Sequence, residues 1–83
     1  MPKFLTFHHE PGKSWEKLEE AYTRLAKETT AVWIRTYYDP GEGHRICEWD
    51  APSDETLVVI FKRMGISFEK IVSVEEVLPS RWR

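Results

Sequence analysis

The chain has 83 residues, which bounds it to one domain with a modest core. Its 12 Lys and Arg against 14 Asp and Glu give a formal charge of −2 and a pI near 5.9, without the clustered basic surplus of a general nucleic-acid binder. Cys47 is the only cysteine, which excludes an intrachain disulfide, and no apolar run approaches the ~20 residues of a membrane span, so the expected setting is cytoplasmic, with neither nucleic acid nor membrane as partner.

Residues 3–9, Lys-Phe-Leu-Thr-Phe-His-His, have the aromatic and β-branched content of a strand. Glu10-Pro11-Gly12 breaks it, and Ser14 follows as an N-cap candidate whose hydroxyl can accept a free amide of a helix over about 14–28. Trp15, Leu18, Tyr22 and Leu25 recur at steps of three and four, which gives that helix one apolar face. Residues 31–38 read as a second strand. Simple alternation puts Val32, Ile34 and Thr36 on one side and Trp33, Arg35 and Tyr37 on the other. Asp39-Pro40-Gly41-Glu42-Gly43 is a turn, returning as a third strand over 44–50. Ser53 caps a second helix over about 53–64, with Leu57, Val58, Ile60, Phe61 and Met64 as its apolar stripe and Gly65 as its stop. Residues 70–77 form the last strand. The expected domain is 1–78, followed by a tail at 79–83.

This order, β-α-β-β-α-β, predicts an α+β fold of ferredoxin-like topology: a four-stranded antiparallel sheet, in order 4-1-3-2, with both helices on one face. The other face has no cover within the chain. Large aromatics placed there by alternation, Trp33 and Tyr37, predict a homodimer that closes the two sheets on one another.

The topology also brings all three histidines to one end of the sheet. His8 and His9 close the first strand and His44 opens the third, with Cys47 and Glu48 a little further along. Imidazole, thiolate and carboxylate suit nickel or zinc, so His8 and His44, with Cys47 or Glu48 as a further donor, are the candidate metal ligands. His9, one residue from His8, then faces away. Glu48 has a simpler reading as the cross-hairpin partner of Arg35, and Cys47 as a small core residue. Phe4, Trp33, Arg35, Tyr37 and Trp49 are the candidates for a pocket or for the dimer face. No Gly-rich phosphate loop or nucleophile motif is present.

Several stretches together resemble one family: Met1-Pro2-Lys3-Phe4 with His8, Trp33-Ile34-Arg35-Thr36-Tyr37, Cys47-Glu48-Trp49-Asp50-Ala51-Pro52, and the closing 71–77. It is a family of small bacterial proteins, long a domain of unknown function, whose members are often called nickel-binding proteins. The resemblance implies a ferredoxin-like fold, a dimeric α/β barrel and a nickel or other transition-metal site. By position, His8 matches a histidine near the end of the family's first strand, and Cys47 the cysteine before its Ala-Pro pair. Many relatives carry a histidine in the second helix, whereas Leu57 to Gly65 contains none. Three functions follow as expectations: a metal-binding protein without catalysis; a dimeric α/β-barrel enzyme, a monooxygenase or isomerase, acting on a small apolar molecule; or an interaction module with no site beyond its dimer face.

Overall fold

The computed structural model describes the whole chain, Met1–Arg83. In chain order it contains β1 (Lys3–His9), α1 (Trp15–Ala26), β2 (Val32–Asp39), β3 (His44–Asp50), α2 (Asp54–Met64), β4 (Lys70–Val74) and a terminal 3-10 turn, Pro79–Trp82. The four strands form one antiparallel sheet in the order β2-β3-β1-β4, with both helices on one side, the ferredoxin-like arrangement. β4 is shorter than the apolar pattern of 70–77 suggests. Val74 already pairs with Lys3, the first residue of β1, so nothing remains for Glu75 and Glu76 to pair with.

Local chemistry sets the helix ends. Ser14 and Ser53 accept from the backbone amides of Lys17 and Thr56, relieving donors of each first turn. Gly65 ends α2 in the left-handed region at φ 69°, and the next amide, of Ile66, reaches back to the Phe61 carbonyl at 2.9 Å. The β2–β3 turn depends on Gly43, at φ +79°, where an added Cβ would meet Pro11 Cα at 2.7 Å. That close approach, with the Glu10 amide on the Gly43 carbonyl, fixes the end of β1 against the turn.

The core lies between sheet and helices. Leu57, Ile60 and Phe61 of α2 and Leu18 and Leu25 of α1 are buried there with Phe4, Cys47 and Trp49 from the strands. Trp15 is not part of it: at the first turn of α1 it is 56% exposed.

One irregularity changes the reading of the sheet. Trp33 pairs with Trp49, but the next partner pair is Arg35 with Glu48, so β2 bulges at Ile34. A bulge adds one residue to one strand and reverses its side-chain parity. Trp33 therefore turns to the helix side, where it stacks on Tyr22 with ring centroids 5.4 Å apart, while Arg35 and Tyr37 stay on the open face. The expectation that Trp33 and Tyr37 share the open face fails for this reason. The open face instead carries Leu5, Phe7, Ile46 and Val72 at its centre and Tyr37, 63% exposed, on β2.

Candidate functional site

The chain's chemistry is divided by the sheet. In β1–β3, Phe4 pairs with Trp49, Thr6 with Cys47 and His8 with Arg45, and all six are buried on the helix side. The alternate pairs, Leu5 with Glu48, Phe7 with Ile46 and His9 with His44, face away from the helices. The four residues nominated for one metal ion thus separate two and two: His8 and Cys47 under the helices, His44 and Glu48 on the open face. His8 and His44 are diagonal neighbours across the central strands but project to opposite sides, because each strand alternates.

His8 is built into a hydrogen-bonded row. Its Nδ1 lies 2.7 Å from the Ser67 carbonyl and its Nε2 2.9 Å from Thr6 Oγ1. A carbonyl only accepts, so Nδ1 carries the proton and the Thr6 hydroxyl donates to Nε2. Both ring nitrogens are occupied. Desolvation by burial holds the His8 pKa below its ordinary value against the pull of the Ser67 carbonyl, and the Arg45 charge adds to the lowering. Cys47 Sγ accepts from Thr36 Oγ1 at 3.1 Å, and Thr36 Oγ1 in turn accepts from Trp33 Nε1 at 2.9 Å. Burial pushes the Cys47 thiol up, so it stays protonated at neutral pH and is a poor ligand.

At the end of this row Arg45, 4% exposed, pairs with Glu10, which also holds Lys13 at 2.6 Å. Burial would raise the Glu10 pKa, but Lys13 and Arg45 outweigh it and hold the carboxyl below its usual range.

The open face has a different composition. Glu48 bonds Arg35 Nε at 3.2 Å and also Lys3, the hairpin pairing anticipated from sequence. At the turn end, the rings of His9 and His44 stack with centroids 4.2 Å apart and planes 14° apart, and His9 Nε2 bonds the Glu42 carbonyl at 3.0 Å. His9, read from sequence as the histidine that faces away, is the cross-strand partner of His44. The hairpin turn fixes Asp39 opposite His44, but nothing in the sequence sets the β1–β3 register that fixes His9 there.

A family model described as nickel responsive protein SCO4226-like matches residues 4–74. The chain belongs to the SCO4226-like family. The crystal structure of SCO4226 from Streptomyces coelicolor A3(2) resembles this SCO4226-like chain with a TM-score of 0.77 at 21% identity, over 92% of this chain and 99% of that one. At that identity the likeness speaks for the fold. No curated protein matches the chain. No helix is long and apolar enough to cross a membrane.

The buried imidazole makes a pH prediction. Folding favours neutral His8, whereas the imidazole of the unfolded chain titrates near 6.5. Below that value the unfolded state binds more protons, so stability falls as pH drops through about 6.5 and levels off below the depressed folded value. Above 6.5 the contribution is complete. Glu10 acts in the same direction but in a lower window, beneath the ordinary carboxylate range. Denaturant unfolding at fixed protein concentration between pH 7.5 and 5 is expected to show this slope. His8→Gln, which keeps a donor and an acceptor, is expected to flatten it; an equal slope in both proteins would assign the effect elsewhere.

Proposed function

We propose that this protein is a homodimeric, transition-metal-responsive protein without catalysis, which takes nickel or zinc at the histidine end of its open sheet face. The observation that carries the reading is the exposed His9–His44 pair in a chain that belongs to a family described as nickel responsive. Imidazole nitrogen is a favoured donor for both metals. The two rings stack nearly parallel, and no third His, Cys, Asp or Glu joins them. The pair therefore fits such an ion as two donors of a larger set. Water or a second copy would supply the other donors. His8 is left out, its two nitrogens being engaged by Ser67 and Thr6. The dimer face in this reading is the open side of the sheet, with Leu5, Phe7, Ile46 and Val72 at its centre. Its histidine end keeps the pair beside the interface, so metal and association are coupled.

The test is calorimetric titration of metal-free protein with nickel and with zinc. His9→Ala and His44→Ala are each expected to weaken binding by at least about tenfold, as loss of one of two protein donors should. His8→Gln is expected to leave it unchanged. Affinity should fall on acidification, because protonated imidazole does not ligate. Absence of binding by the parent, or an equal loss in His8→Gln, would overturn the reading.

A further inference from the structure

A second site lies on the helix side, away from the histidine pair. Between α1 and β2 is a cleft of about 340 Å³, within the range of small-molecule pockets. Its walls are mostly aromatic: Trp15 and Tyr22 from α1, and Trp33 and Tyr38 from β2, with the bulged Ile34 at its edge. Trp33 lies flat against Tyr22. The exposed Trp15 ring stands 6.4 Å from both Tyr22 and Tyr38 between centroids, inclined to them at 68° and 35°. Rings placed in this way meet a round group on more than one side. A point between two of them lies within the ~6 Å of a centroid over which a cation is drawn to an aromatic face.

The cleft offers an occupant ring faces rather than hydrogen bonds. The unpartnered donors near it, Tyr22 Oη, Arg45 Nε and Nη1 and Trp49 Nε1, are buried and have no surface of their own. Thr36 Oγ1 is engaged by Trp33 Nε1 and Cys47 Sγ. Arg35 borders the cleft, but its guanidinium is held by Glu48 on the other face of the sheet. An anion would therefore find neither a free donor nor a free positive charge. The charge at the lip is negative. Glu19 lies one turn from Trp15 and one turn from Tyr22, on the same side of α1. It is exposed and makes no ion pair, since Lys17 pairs with Glu20. Aromatic faces carry the negative part of the ring quadrupole, so walls and lip both favour a positive guest. The lack of free acceptors narrows the class further. A primary ammonium would leave its N–H groups unmatched there, whereas a trimethylammonium has no N–H to satisfy.

We propose that this cleft binds a quaternary ammonium group, its methyls against the rings of Trp15, Tyr22 and Tyr38 and its charge balanced by Glu19. The site is independent of the metal reading, on the opposite side of the sheet from His9 and His44.

The probes are choline and its neutral isostere 3,3-dimethyl-1-butanol, titrated into metal-free protein and followed by the indole N–H resonances of the tryptophans. The N-acetyl amide of trimethyl-lysine is a parallel arm, which separates a modified peptide side chain from a free small molecule as the source of the group. The expected result is saturable binding of at least one of the two cations, shifting the Trp15 and Trp33 signals and sparing Trp82. Its affinity should be at least about tenfold above that of the alcohol. Ethanolamine, which keeps the charge but carries N–H groups, is expected to bind more weakly than choline. Trp15→Leu keeps an apolar side chain and removes the ring, at an exposed position where folding is not at risk. It is expected to weaken the cation at least about fivefold while leaving the alcohol nearly unchanged. Glu19→Gln is expected to weaken the cation about threefold, the scale of one exposed charge. Saturation by neither cation, or an alcohol that binds as tightly as both, overturns the proposal. So does a Trp15→Leu protein that binds the cation as the parent does.

Discussion

Ile46→Asp is expected to convert the proposed dimer to a monomer, raising the dissociation constant by at least about 100-fold, roughly 3 kcal/mol. Ile46 sits at the centre of the open face, paired with Phe7 on one side and Tyr37 on the other. In a face-to-face dimer each copy would bury an aspartate there against Leu5, Phe7 and their counterparts, with no cation placed to meet it. The ions nearby are already committed: Lys3 and Arg35 to Glu48, and Lys70 over the Phe7 ring at 4.6 Å. Trp33→Ala is the paired experiment. Simple alternation along β2 assigns Trp33 to the dimer face, where its loss would weaken association strongly. The bulge assigns it to the helix side instead. Its truncation should leave the dissociation constant within about twofold and lower unfolding stability by about 2 kcal/mol, less than for a fully buried aromatic because the ring is only partly buried. Sedimentation velocity across a concentration series, with denaturant unfolding at one concentration, separates the two quantities. A Trp33→Ala protein that dissociates while Ile46→Asp does not would reverse the assignment of faces.

That pair of variants marks where the sequence is readable and where it is not. Order, caps and stops follow from local chemistry: a hydroxyl before a helix, a glycine after one, proline and glycine between strands. They depend on a few adjacent residues, and Ser14, Ser53 and Gly65 act as their types suggest. Parity is different, because a single inserted residue inverts every later assignment on a strand. Nothing in Val32-Trp33-Ile34-Arg35 announces a bulge. It is held by tertiary contacts, Trp33 lying on Tyr22 and opposite Trp49. The histidines show the same limit. Their gathering at one end of the sheet follows from topology alone, yet the choice of His9 rather than His8 beside His44 depends on a register that the hairpin does not specify. The unpartnered donors of Arg45, Tyr22 and Trp49 were beyond reach for a related reason. Each residue type is ordinary in a strand or helix, and only the folded layer reveals that their N–H and O–H groups meet no acceptor.

The largest loss of stability is expected from Phe61. The ring is 1% exposed and stands edge-on to His8, with centroids 5.0 Å apart and planes at 88°, and edge-on to Trp49 at 5.9 Å. On its other flank it meets Phe68 at 5.5 Å. It therefore joins α2, both central strands and the loop before β4. Phe61→Ala should cost about 3–5 kcal/mol through lost burial and the cavity left behind. A domain of this length has a total stability of roughly 4–12 kcal/mol, so this one change removes about a quarter of it or more. Phe61→Leu keeps most of the volume and should cost about 1.5 kcal/mol, which leaves a folded protein in which a second consequence can be read. Phe61 is part of what keeps water from His8, and desolvation is the leading cause of that residue's lowered pKa. Thinning the ring admits water, the charged imidazole becomes less unfavourable, and the His8 midpoint should rise toward 6.5. The acid-side slope of stability should flatten with it, because the slope exists only while folded and unfolded midpoints differ. Imidazole C–H resonances followed through a pH titration give the midpoint directly. An unmoved His8 midpoint in Phe61→Leu, together with an unchanged pH slope, would show that the rest of the buried surround and the Arg45 charge, rather than the aromatic cover, hold the imidazole neutral.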